Sequence, residues 1–218
     1  LPAQHMLPGH EVQSLSQTST GVQVRCTNGV ALSADLLVAS DGIRSTVRAA
    51  VAPQVQPVYS GYMAWRGVCD EAVLSGLTRS TLFETFGFGL PEGEQMLGYP
   101  VAGAGNATRP GERRYNFVWY RPAREHDELR ALLTDADGVH HPLGIPPHKV
   151  HWREVARMRE AARHLLAPQW AEVTEKTAQP FLQPIFDVLS ERLAFGRMAW
   201  RRDAAVGARP DAGPGGAK

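Results

Sequence analysis

Long apolar runs are missing from this chain. No stretch approaches the ~20 apolar residues that a bilayer-spanning helix needs, so a transmembrane helix is excluded. Cysteine is almost missing too: Cys26 and Cys69 stand alone in apolar contexts, with no C-x-x-C pair. One Cys26–Cys69 disulfide stays open beside the alternative of two buried thiols in a reducing compartment, and a cytoplasmic location is the expectation. Charge of one sign is not in excess either. Lys and Arg number 23 against 22 Asp and Glu, a net charge of +1, which gives no basic footprint for nucleic acid.

Several motifs are missing with them. No G-x-S-x-G elbow starts a serine hydrolase, and no Walker A sequence cradles a nucleotide. His148-x-x-His151 has neither a cysteine nor a carboxylate to complete a zinc set, so no metal is expected. Leu1-Pro2-Ala3-Gln4-His5 has no basic n-region and no apolar h-region, so it is not expected to be a signal peptide. It has no initiator methionine, and Leu1 is expected to be a cut edge within a longer protein.

What remains is ordinary globular material. The 218 residues are 43% hydrophobic and 21% charged, enough for one large domain or two small ones. The stretch from Asp35 to Arg48, D-L-L-V-A-S-D-G-I-R-S-T-V-R, carries the most information. An apolar run ends in Ser40-Asp41-Gly42, and a short helix is expected from Ile43 to Val51, ended by Pro53. Such a strand, tight turn and helix place polar groups at the carboxyl edge of a sheet, where ligands of α/β proteins dock.

The periodicities expect β structure first. Glu11–Leu15 and Gly21–Cys26 alternate with period two, and Asn28-Gly29 signals a hairpin into Val30–Leu32. Tyr62–Val68, Ser80–Phe88, Gln95–Val101 and Arg114–Tyr120 are four further strand candidates, suggesting a mostly antiparallel sheet that could wall a ligand pocket. Gly103-Ala104-Gly105 reads as a hairpin loop. Helical spacing covers Glu125–Leu133 and Trp152–Leu166, with Pro168 as a stop, and a last helix is expected over Pro184–Leu193. Met198–Trp200 reads as a short strand before a Gly/Pro/Ala-rich tail.

Three segments together resemble the flavin-dependent aromatic hydroxylases of the p-hydroxybenzoate hydroxylase type. Asp41, Gly42, Arg44, Ser45 and Arg48 match the family's DG motif. Tyr59–Gly67 looks like the entry into its substrate-domain sheet. Asp203-Ala204-Ala205, Arg209-Pro210 and Gly213-x-Gly215 look like its GD motif. Gly98–Val101 and Asn116–Tyr120 look most like the 2,6-dihydroxypyridine hydroxylase branch.

The resemblance implies an α/β fold mixed with α+β character. Residues 1–57 would hold a partial, Rossmann-like FAD-binding domain with the DG motif. Residues 58–195 would form an antiparallel substrate domain with flanking helices, and 196–218 would return to the FAD domain. It implies FAD as cofactor, NAD(P)H as co-substrate, and a small aromatic or hydroxypyridine-type substrate hydroxylated with molecular oxygen. No side chain is nominated as catalytic, because the flavin carries the chemistry. A homodimer is one assembly left open.

Cofactor contacts are carried over to Asp41, Gly42 and Arg44, and to Asp203, Pro210, Gly213 and Gly215. In that reading Asp203 accepts from sugar or ribityl hydroxyls, and Arg44 offers a cation to phosphate. Two plainer readings stand beside it: Asp41 as a helix cap, and Arg48 as a solvated residue. Tyr62, Trp65, Trp119 and Tyr120 are read as sheet packing.

The chain departs from the pattern in three places. Arg202 stands where the GD motif normally has glycine, Arg201 where a strand residue is apolar, and Asp211 where histidine follows the proline. The G-x-G-x-x-G unit that normally precedes the DG motif is not in residues 1–34, so an internal fragment of such an enzyme is expected. A catalytically inactive remnant acting as a binding or interaction module, and a related FAD-dependent reductase, are the alternatives.

Overall fold

The computed structural model describes residues 2–200. In chain order its strands are β1 (Val12–Gln17), β2 (Val22–Cys26), β3 (Ala31–Ala34), β4 (Leu37–Ala39), β5 (Val58–Asp70), β6 (Gly87–Gly89), β7 (Gln95–Val101), β8 (Arg114–Pro122), β9 (Phe181–Asp187), β10 (Ala194–Phe195) and β11 (Met198–Trp200). The helices are α1 (Thr46–Val51), α2 (Gly76–Leu82), α3 (Arg130–Leu132), α4 (Trp152–Leu165) and α5 (Pro168–Lys176). This is a mixed α/β fold. It divides into two compact units, residues 1–60 with 186–218, and residues 61–185. The segment 186–195 therefore falls in the first unit.

In the first unit, β1, β2 and β3 form an antiparallel meander turned at Asn28-Gly29. A second small sheet runs β10-β11-β4, with β10 and β11 antiparallel and β11 parallel to β4. Its buried face gathers Ala39, Val47, Ala52 and Trp200 into one cluster, flanked by Leu15, Leu37, Val51, Val55 and Phe195. The Trp200 indole donates to the Arg192 carbonyl at 2.7 Å and meets Phe195 edge-on at 4.7 Å. Arg197 joins this sheet to the meander. Its backbone amide donates to Gln17 Oε1 at 2.9 Å and its guanidinium to the Ser19 and Asp35 carbonyls.

The second unit is built on a five-stranded sheet of order β6-β7-β8-β5-β9. The pairs β6–β7, β7–β8 and β5–β8 are antiparallel. Register decides its two faces, since directly opposed residues point the same way. Trp65 faces Trp119, Gly67 faces Phe117 and Cys69 faces Tyr115, and these residues are buried. Helix α5 packs here through Trp170, whose ring lies 5.7 Å from that of Tyr115. Gly87 and Gly98 make room for it: a Cβ on either would come within 2.8 Å of the Trp170 indole. Burial pushes the Cys69 thiol up to about 11, and Cys26 and Cys69 are both buried and free.

Two expectations are corrected, and a third, the helix over Glu125–Leu133, is met in altered form. Ser80–Phe86 is not a strand: α2 occupies Gly76–Leu82 before the short β6. Ser75 caps that helix by accepting from the Thr78 amide at 3.2 Å, and the Glu172 carboxylate accepts from the Ser75 amide and hydroxyl and from the Thr78 hydroxyl. Pro184–Leu193 is not a helix, because Phe181–Asp187 is recruited as an edge strand, where proline is tolerated. Glu125–Leu129 forms one wide π turn before the single α turn of α3.

Pro168 ends α4 as expected, and it also opens α5 at a first-turn position that suits its missing amide. His151 caps α4, its Nδ1 accepting from the Arg153 amide at 3.1 Å. Gly103–Gly105 lies in the β7–β8 connection. Among the described residues no helix is long and apolar enough to cross a membrane.

Candidate functional site

Two places in the molecule carry the residue types expected of a ligand site, one in each unit. The first is the carboxyl end of β4. Ala39 is the last residue of that strand and lies opposite Trp200 of parallel β11. The turn Ser40-Asp41-Gly42 leaves from that end of β4.

Gly42 sits at φ +77°, a conformation that glycine adopts without strain. Its carbonyl accepts from the Ser45 amide at 3.1 Å, closing a turn over Ile43 and Arg44. A Cβ built on Gly42 would meet nothing within 4 Å, so the surroundings of this backbone are open.

The cap of α1 is Ser45, whose hydroxyl accepts from the Arg48 amide at 2.9 Å. Asp41 adds a second acceptor, its Oδ2 receiving the Val47 amide at 3.3 Å. Asp41 thus makes a helix-cap contact while standing exposed at the sheet edge, as does Arg44. The solvated reading of Arg48 is overturned. Arg48 is 4% exposed, and its guanidinium donates to the Ile43 carbonyl and, at 3.2 Å, to the Val55 carbonyl. Desolvation lowers its pKa, against the opposing pull of Asp41. Such a buried cation holds the turn from beneath.

Asp203, Pro210, Gly213 and Gly215 lie outside the described residues, as do Arg201, Arg202, Arg209 and Asp211. The residues in view fit a dinucleotide's phosphates in kind: an exposed guanidinium, Arg44, on a turn with open space beside its glycine.

The second place is the other face of the five-stranded sheet. Along β8 it carries Asn116, Val118 and Tyr120, with Tyr62, Ala64, Arg66 and Val68 opposite on β5 and Gln95, Leu97 and Tyr99 on β7. Val118, itself buried, is paired with Leu97 on one side and Arg66 on the other. Tyr62 and Tyr120 meet edge-on at 5.8 Å, and Phe86 stacks on Tyr99 at 5.2 Å.

The Arg66 guanidinium donates to Gln183 Oε1 at 2.6 Å and lies 6.0 Å from the Phe181 ring centroid. Asn116 Nδ2 is shut off from solvent and has no hydrogen-bond partner among the described residues. Trp65 and Trp119 are core packing on the helix side; Tyr62 and Tyr120 belong to this half-exposed face. Arg66, Asn116 and Gln183 were not among the expected site residues, and the period-two alternation of β8 hinted at Asn116 alone.

Comparison with known proteins places the chain. The model of the FAD binding domain-like family matches residues 59–187. The chain belongs to that family. A 2,6-dihydroxypyridine 3-monooxygenase of Paenarthrobacter nicotinovorans is 30% identical over 204 residues, 94% of this chain and 50% of the relative. An FAD-dependent urate hydroxylase of Klebsiella pneumoniae is 28% identical over 95% of this chain and 46% of its own length. Among solved structures, 2,6-dihydroxypyridine-3-hydroxylase from Arthrobacter nicotinovorans superposes with a TM-score of 0.83 at 27% identity, over 92% of this chain and 50% of that one. The chain spans about half the length of the curated relatives it matches.

Proposed function

We propose that this chain is part of an FAD-dependent monooxygenase that hydroxylates a small aromatic or hydroxypyridine-type ring, with NAD(P)H as reductant and molecular oxygen as co-substrate. One observation carries the reading: β4 runs parallel to and in register with β11, and the Asp41–Gly42 turn leaves the carboxyl end of β4. That is where an α/β sheet receives a dinucleotide.

FAD, when bound, supplies the redox chemistry and the activation of oxygen. The chain's share is to hold and orient. Arg44 would face phosphate and Asp203 would accept from sugar or ribityl hydroxyls, while Pro210, Gly213 and Gly215 would let backbone approach the ring system. The likeness to a 2,6-dihydroxypyridine 3-monooxygenase supports a heterocyclic phenol as substrate class.

The test begins with the purified chain and added FAD. Flavin absorbance that travels with the protein through gel filtration, and that drops in Asp203→Ala and Arg44→Ala, is the expected result. Equal flavin retention by all three proteins would overturn the assignment. NADH oxidation with FAD and a panel of hydroxylated pyridines and phenols, measured against free flavin, then reports on turnover.

A further inference from the structure

Helix α4 exposes a face that an ordinary solvated helix would not carry. Trp152, Ala156, Glu160 and Arg163 fall at i, i+4, i+8 and i+11, which sets them in one stripe, and all four are exposed. The opposite side of the helix buries Val155, Met158 and Ala162. Trp152 is 63% exposed, whereas Trp65, Trp119, Trp170 and Trp200 are each 5% exposed or less. A tryptophan left in water forgoes one of the largest apolar burials that a side chain can make.

Beside the stripe lies an open groove of about 460 Å³. Ala156 lines it with Arg153 and Arg157 toward the start of α4, and with Arg159, Arg163 and, from α5, Glu175 toward its end. The charges along it are unevenly shared. At the start, Arg153 and Arg157 both draw on the single carboxylate of Glu154, at 3.2 and 2.9 Å. At the end, Arg163 stands between two carboxylates, Glu160 and Glu175, the second at 3.0 Å. The other cation there, Arg159, is turned to the Thr174 and Thr177 carbonyls, and His164 Nε2 meets Glu160 at 2.8 Å. Along α4 the start therefore has cation in surplus and the end carboxylate.

Such a surface is complementary to itself turned end for end. A twofold axis sets the start of one helix against the end of another and satisfies both copies at once. Ala156, the smallest side chain of the stripe, stands where two such helices cross and lets them approach closely.

We propose that the outer face of α4 is a self-association surface for a second copy of this chain. Trp152 of each copy enters the groove of the other, and Arg153 of each meets Glu160 of the other. The indole then lies against Ala156, with the Arg163 guanidinium as its cation–π partner. A single helix pair is a small interface, so the dimer is expected at about 10–100 μM rather than at nanomolar concentration. Nothing in it depends on flavin or on the substrate.

Sedimentation velocity of the full 218-residue chain, from about 1 to 200 μM, tests the proposal together with intrinsic fluorescence. Four of the five tryptophans are buried within the chain itself, so a shift of emission on dilution reports Trp152. The unaltered chain is expected to pass from dimer to monomer on dilution, its emission moving to longer wavelength. Trp152→Ala is expected to weaken the association by about tenfold or more, the scale of a tryptophan hot spot.

Arg153→Glu alone and Glu160→Arg alone each set like charges against one another in a homodimer. An equal mixture of the two variants restores opposite charges at both crossings, so mixed dimers are expected where neither variant pairs with itself. Both residues are exposed, and circular dichroism checks that each variant keeps its fold. A chain that stays monomeric up to about 200 μM overturns the proposal. So does association that Trp152→Ala leaves undiminished, which would mean that the copies meet elsewhere, and so does a mixture that associates no better than its components.

Discussion

Arg48 shows how one side chain can be read in two opposite ways until its surroundings are known. On a short helix of mixed polarity an arginine is ordinarily solvated. Here the loop after the helix curls back and offers the Val55 carbonyl, and the turn before it offers that of Ile43. Both carbonyls lose a directed donor if the guanidinium is removed. Arg48→Met, which keeps the apolar stem, is expected to destabilise the first unit by about 1–3 kcal/mol, the cost of stranding buried acceptors. Urea unfolding followed by circular dichroism measures it. A stability equal to that of the unaltered chain would mean that water satisfies both carbonyls as well as the guanidinium does.

At the scale of elements, the seat of α5 is the most exacting contact. The Trp170 ring lies over Gly87 and Gly98, and a Cβ at residue 98 would approach Tyr115 Cε1 to 2.6 Å, the Asn116 carbonyl oxygen to 2.8 Å and Trp170 Cζ3 to 2.8 Å. Two of these are rings held in the core and one is backbone, so none yields cheaply. Gly98→Ala is expected to cost about 1–3 kcal/mol through overpacking, with a lowered unfolding midpoint as the readout.

This contact also explains what the sequence could and could not convey. Strands with clear alternation, such as Val22–Cys26 and Arg114–Pro122, were legible because period two survives any context. Ser80–Leu82 was misread because the signal for α2 is partly non-local: its cap is completed by Glu172, about a hundred residues away. Pro184–Asp187 was misread as the start of a helix because pairing to β5, not propensity, makes Phe181–Asp187 a strand. The DG turn was visible as a pattern of residue types. The face bearing Asn116 was not, since it exists only once three strands are in register.

For the molecule as a whole, acid stability has an identifiable source. Asp135 accepts from His141 Nε2 at 2.9 Å, from Lys149 Nζ at 3.1 Å and from the Asp137 and Val139 amides, tying together residues 135–149. The hydrogen bond from His141 does most to hold its carboxyl well below the usual range, against the effect of burial, with Val139 and Lys149 adding to it. A carboxyl whose folded pKa is depressed stabilises the fold fully above its unfolded value, ~3.9, and progressively less as pH falls below it. The stability difference between the unaltered chain and Asp135→Asn is therefore expected to be constant from neutral pH to about pH 5 and to shrink below pH 4. Denaturant midpoints across that range check it, and a difference that grows toward acid would reverse the sign.

The glycine seat under Trp170 has one more consequence. Because α5 is keyed into one side of the sheet, successive residues of β8 live under opposite rules. Tyr115, Phe117 and Trp119 are jammed against the helix layer, while Asn116, Val118 and Tyr120 look the other way. A mutational scan along this strand should come out as an uneven comb, intolerant at Tyr115, Phe117, Trp119 and the buried Val118, and permissive at the part-exposed Asn116 and Tyr120. Sequences diverging from this one would then leave their changes in the gaps, with the teeth kept in place as the record of a shared frame.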